Sequence, residues 1–116
     1  MEEVIASKDR IQDEARKLLD RGARLANLVC IDDGETFELI YVFQEGLDLV
    51  DVRVRVAKDE EVPSLSGLQL SAALIENEVK EFFGLNITGL AIDFQCRMLL
   101  GAKSPRTPML KQLPVV

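Results

Sequence analysis

Three carboxylates crowd one short stretch of this sequence: Glu76, Glu78 and Glu81. Paired carboxylates serve general acid–base catalysis and hard-cation binding, so their spacing decides what they can do. On a helix, residues two apart diverge, and Glu76 and Glu78 cannot act as a pair on one face; Glu78 and Glu81, three apart, are neighbours. As metal ligands they need histidine or further carboxylates from elsewhere, and the chain contains no histidine. That removes the commonest general base and the commonest metal ligand together. The simpler expectation is a solvated acidic helix face. The functional one is a face that meets cationic groups of a partner.

Other chemistry fares no better. Cys30 and Cys96 are the only cysteines and lie far apart, so no C-x-x-C pair exists to hold zinc or an iron–sulfur cluster. Both sit in apolar stretches, which predicts two free, buried, inert thiols in a reducing compartment. Gly84 to Gly89 has the glycine spacing of a phosphate loop but lacks the following Lys-Ser/Thr and comes after a helix, so that reading is rejected. No G-x-S-x-G elbow occurs, and a Ser-His-Asp arrangement is impossible without histidine. Arg53 and Arg55 read as an exposed strand face before they read as an anion site. The sequence therefore predicts no catalytic site of its own, no cofactor and no metal site.

The elements follow from periodicity. Residues Ser7 to Arg21 read as a helix with Ile11, Ala15, Leu18 and Leu19 on one face, Ser7 as N-cap and Gly22 just past the end. Three strands follow, at about Ala23–Ile31, Thr36–Gln44 and around Val50–Val56, with turns at Asp33-Gly34 and Glu45-Gly46. Phe37, Leu39, Tyr41 and Phe43 share one face of the second strand; Val50, Val52, Val54 and Val56 share one face of the third and fix its register. Residues 59–67 read as a connecting loop. A second helix runs from about Ser71 to Phe83, with Ala72, Ile75, Val79, Phe82 and Phe83 buried, and stops at Gly84. Helix, three-stranded antiparallel meander and helix predict an α+β two-layer sandwich with both helices on one face of the sheet. At 116 residues this is one domain's worth of chain.

Charge divides the chain in two. Residues 1–93 hold ten Lys and Arg against twenty Asp and Glu, net −10, whereas residues 94–116 hold Arg97, Lys103, Arg106 and Lys111 with no acid, net +4. The total of −6 argues against nucleic-acid binding. Three of the four prolines also fall in the last segment, together with Met98, Leu99, Leu100, Met109, Leu110 and Leu113. Proline at that density forbids helix and interrupts ladders, yet the apolar content is too high for a linker. The division expected is an α+β domain over 1–93 and a basic, proline-rich arm over 94–116. The arm either folds back over its own acidic domain or lies along another protein. The second is favoured, because extended segments with apolar anchors and scattered cations suit a partner's groove. Met1-Glu2-Glu3 lacks the order of a signal peptide, and no window reaches the ~20 apolar residues of a membrane span, which predicts a soluble, cytoplasmic protein without membrane insertion.

At the second helix the sequence resembles the 30 kDa subunit family of respiratory complex I. Pro63-Ser64-Leu65 leads in; Glu76, Glu78, Glu81, Phe83, Gly84 and Leu85 fall on the family's Glu-x-Glu, acidic, aromatic, glycine and aliphatic positions; Ile87 and Gly89 fit the next step. Downstream the usual His-Pro-Asp-Leu-Arg-Arg is replaced by Leu90 to Leu100, in which Asp93, Arg97, Leu99 and Leu100 have counterparts. The resemblance implies a cofactor-free accessory subunit of a complex I-like NADH-quinone oxidoreductase or of an energy-converting nickel–iron hydrogenase or formate hydrogenlyase, with a lean to the hydrogenase type. It implies docking on the large subunit (49 kDa-like or hydrogenase-like) beside a small iron–sulfur subunit, at the inner face of the membrane. Partner contact is then expected from Glu76, Glu78, Glu81, Arg97, Lys103, Arg106, Met109, Leu110, Lys111 and Leu113. The alternatives are a stand-alone small-molecule-binding or regulatory domain, and a maturation chaperone for a metalloenzyme.

Overall fold

The computed structural model describes residues 2–93. Four strands form the main sheet: β1 (Glu2–Ala6), β2 (Arg24–Asp32), β3 (Thr36–Glu45) and β4 (Asp48–Ala57), in the order β1-β4-β3-β2. Helix α1 (Ile11–Asp20) precedes β2 and helix α2 (Ala72–Phe83) follows the sheet. Two short strands, β5 (Glu61–Pro63) and β6 (Asn86–Thr88), pair in parallel on either side of α2 in the chain.

The β2–β3–β4 meander forms where its alternation demands. The four valines of β4 and the four aromatic and aliphatic residues of β3 named above are all buried, and they join Ile11, Ala15 and Leu18 of α1 and Val79 of α2 in one core. Both helices thus cover the same face of the sheet. Phe83 of α2 packs edge-on against Phe37, with ring centroids 6.3 Å apart. The Asp-Gly turn is held by Gly34 at φ 102°, a conformation other residues rarely adopt, and by its N–H donating to Asp32 Oδ1 at 2.8 Å.

Three features depart from expectation. The sheet has a fourth strand: β1 pairs in parallel with β4, from Glu2 opposite Val50 to Ala6 opposite Val54. It turns Val4 and Ala6 toward the core and leaves Ile5 exposed. Two leading acids mask this alternation in the sequence. The N-terminal helix does not start at Ser7; a 3₁₀ turn (Lys8–Arg10) comes first, and the Ser7 side chain caps nothing. The loop read over 59–67 contains β5, whose three residues are too few to show a period. Sequence residues 94–116, including Cys96 and the whole arm, lie outside the described residues.

Tyr41 is fully buried beneath α2, and its hydroxyl has no hydrogen-bond partner among the described residues. Burial, and after it the charge of Glu76, pushes its pKa far up. A buried hydroxyl without a partner lowers stability by about 1–3 kcal/mol relative to a shape-matched apolar group. Tyr41→Phe is therefore expected to leave the urea midpoint unchanged or to raise it. A drop worth more than about 1 kcal/mol would show a hydrogen bond there.

Candidate functional site

Three of the residues that carry the family resemblance, Ser64, Leu65 and Glu76, meet in one buried network. Strand β5 ends at Pro63, and Ser64 N–H closes the last rung onto the Thr88 carbonyl at 2.8 Å. The chain then turns inward, and Ser64 and Ser66 are both buried. Ser64 Oγ donates to Glu76 Oε1 at 2.7 Å, and Leu65 N–H donates to Glu76 Oε2 at 3.0 Å. Ser66 Oγ lies 2.7 Å from Ser64 Oγ and accepts from Ala91 N–H at 2.8 Å. With Ser64 donating to the carboxylate, Ser66 must donate to Ser64. The result is a directional relay from Ala91 to Glu76.

Two further α2 residues hold the same segment. Asn77 Nδ2 donates to the Ile92 carbonyl at 2.7 Å and to the Ala73 carbonyl of its own helix at 2.6 Å. Lys80 Nζ reaches Asp93 Oδ2 at 2.7 Å. Residues 91–93 are the last in sequence before the cationic segment, and these bonds fix their position against α2. Gly84 makes the geometry possible: at φ 75° it ends α2 in the left-handed conformation, sends Leu85 into the core and lets Asn86–Thr88 run back along β5. The glycine pair that mimics a phosphate loop is a helix cap and a strand end.

Glu76 and Glu81 are both 0 % exposed, so the solvated acidic face is corrected to two inward acids and one outward one, Glu78. The physical reason is non-local. The donors that make Glu76 tolerable inside come from Ser64 and Leu65, on a segment before α2, and nothing in the helix's own periodicity announces them. The serines flanking Leu65, set between apolar neighbours, are the signal that points to such a partner. Burial pushes the Glu76 carboxyl above its ordinary range, opposed by the hydrogen bonds it accepts from Ser64 and Leu65. Of the expected contact residues, only Glu78 lies exposed; Arg97, Lys103, Arg106, Met109, Leu110, Lys111 and Leu113 lie outside the described residues.

On the uncovered face of the sheet, Arg53 pairs with Glu38 at 2.9 Å and Glu3 at 3.1 Å, and Arg55 with Asp33 at 2.9 Å. Their charges are matched by the sheet's own carboxylates, as a strand face requires. Among the described residues no group of three or more His, Cys, Asp and Glu is placed to hold a metal ion, and no helix is long and apolar enough to cross a membrane.

A groove of about 400 Å³ runs between β2 and α2. Its wall is apolar, with Val29, Cys30, Val79, Phe82 and Phe83, and exposed Glu78 supplies its charge. Burial, with Asp32 adding to it, pushes the Cys30 thiol up to about 12. At pH 8 so little thiolate is expected to leave Cys30 alkylated at least about a thousandfold more slowly in the folded chain than in the unfolded one. Peptide-resolved mass spectrometry after timed alkylation reads this directly; equal rates would show an open, activated thiol.

The family model of the respiratory-chain NADH dehydrogenase 30 kDa subunit matches residues 4–116, nearly the whole chain. The chain belongs to that family. No curated protein matches it. Among solved structures, a chain of the membrane-bound sulfane sulfur reductase, an archaeal respiratory membrane complex, superimposes with a TM-score of 0.77 at 20% identity. The match covers 87% of this 30 kDa-family chain and 64% of that one, so this chain spans less than two thirds of its neighbour's length. The likeness extends the agreement to the fold, and the family is one of respiratory-complex subunits.

Proposed function

We propose that the chain is a non-catalytic accessory subunit of a complex I-like quinone oxidoreductase or of an energy-converting, hydrogenase-type complex, docked on the large subunit of its hydrophilic arm. The observation that carries this reading is the polar clamp on residues 91–93: the buried Glu76–Ser64–Ser66 relay reaches Ala91, Asn77 holds Ile92, and Lys80 pairs at the surface with Asp93, just ahead of a sequence segment with net charge +4 and many apolar residues. Two of the signature residues, Ser64 and Glu76, take part in holding this stretch of chain. Membership of a respiratory-complex family supports the same reading. So does the superposition on a chain from an archaeal respiratory membrane complex.

In this role the domain offers a rigid acidic body, net −10, and the arm carries the attachment. Arg97, Lys103, Arg106 and Lys111 pair with acids of the large subunit while Met109, Leu110 and Leu113 fill apolar notches. Glu78 is the one signature acid free to meet a cation of the partner; Glu76 and Glu81 act from inside the fold. Affinity purification of the tagged chain from detergent-solubilised native membranes is expected to bring a redox-enzyme large subunit and an iron–sulfur subunit with it. Recovery of the tagged chain without either would overturn the proposal.

A further inference from the structure

Glu81 is buried, yet not against the sheet. Val79 packs into the core, and at about 100° per residue Glu81 stands roughly 160° around α2 from it. Its neighbours on that outer side are Asn77 and Leu74, which stand about 40° and about 20° from it. Leu74, near the start of the helix, is 54% exposed, whereas Asn77 is buried and Glu81 is 0% exposed. The outer side of α2 is thus open at its first turn and covered at its last.

The cover begins with residues already placed. Asn77 holds the Ile92 carbonyl, and Lys80 meets Asp93. From Asn77 to Lys80 the helix rises about 4.5 Å, so the chain from Ile92 to Asp93 advances along α2 toward the end of the helix. Glu81 is the next residue in that direction.

A carboxyl group inside a protein needs donors or a cation to meet it. Lys80 is the one cation of α2, and it holds Asp93. The next cation in the chain is Arg97, four residues beyond Asp93 and so within about 14 Å of extended backbone. Lys103 comes six residues later, and no acid occurs in 94–116 to compete for Arg97. Arginine's planar fork matches a carboxylate with two parallel N–H donors and is less strongly hydrated than an ammonium.

We propose that residues 94–97 continue along the outer side of α2 and that Arg97 closes over Glu81 as an ion pair, so that the docking part of the arm begins at Arg97 and not at Phe94. One edge of the guanidinium serves Glu81. The other stays open to the large-subunit acid assigned to Arg97 above, in the way Arg53 spans Glu38 and Glu3 on the sheet. The pairing goes beyond the accessory-subunit reading and does not depend on it.

Limited trypsin digestion of the free full chain, read by mass spectrometry, tests the pairing, since trypsin cuts after Arg97, Lys103 and Arg106 alike where they are accessible. The expected result is cleavage after Arg97 at least about tenfold slower than after Lys103. Glu81→Gln, which keeps the volume, is expected to remove that difference while the rate after Lys103 stays the same. Melting temperatures give an independent reading: Arg97→Gln added to Glu81→Gln is expected to lower the melting temperature no further than Glu81→Gln alone. Cleavage of the parent after Arg97 as fast as after Lys103 would overturn the inference, whether or not the variants fold. So would protection that survives Glu81→Gln, or losses of the two substitutions that simply add. Because the free chain is used, each of these results leaves the accessory-subunit reading where it stands.

Discussion

Replacing Glu76 with alanine is expected to destabilise the domain by roughly 2–5 kcal/mol, the largest loss for any single polar residue described here. The change leaves Leu65 N–H and the Ser64 hydroxyl buried without their acceptor and opens a cavity where a fully buried side chain stood. Against a total of about 5–15 kcal/mol for an ordinary domain, the variant sits near the threshold of folding. Glu76→Gln keeps an acceptor oxygen and the volume, and is expected to lose less than half as much. Thermal melting of both variants decides the point: an alanine variant melting within about 2 °C of the parent would mean the network carries no weight.

The same residue sets a pH dependence with a definite sign. The folded carboxyl titrates above its ordinary value of 4.5 because burial disfavours its charge. Between that value and the raised one, the native state holds a proton that the unfolded chain has already lost. Stability therefore falls as pH rises through this window and is full below it, the reverse of a salt-bridged carboxylate. Glu76→Gln removes this slope, so the gap between glutamine variant and parent should move in the variant's favour as pH rises across the window.

The second large effect concerns the arm. Truncation after Leu100 is expected to leave the domain's melting temperature unchanged while weakening association with the complex by roughly 100-fold or more. Two apolar anchors at about 1.5 kcal/mol each already reach that factor, before any contribution from Lys103, Arg106 and Lys111. Co-expression of full-length and truncated chains with different tags, followed by purification of the complex, measures the ratio directly. Equal incorporation would assign the attachment to the domain alone.

How far the sequence carries the fold depends on the length of each pattern. The β2–β4 meander was legible because nine- and ten-residue strands repeat their period several times and Asp33-Gly34 marks a turn. Strands β5 and β6, three residues each, show no period, and they exist because Gly84 reverses the chain after α2. The candidate site was half legible. The acids of α2 stood out by type and spacing, and the resemblance named them, but hydropathy places a glutamate outside by default. Only the donors from Ser64 and Leu65 turn Glu76 inward, and those meet it through the fold and not through the helix. The β2 edge was legible as a strand but not as an edge, since strand order is a property of the assembled sheet.

The central claim is that this chain acts as a subunit, by contact. Native mass spectrometry of the material recovered through a tag on the chain tests it most directly. The account predicts a single assembly containing the 12.9 kDa chain together with a metal-bearing large subunit. A recovered species of 12.9 kDa alone, able to turn over a substrate by itself, would contradict it.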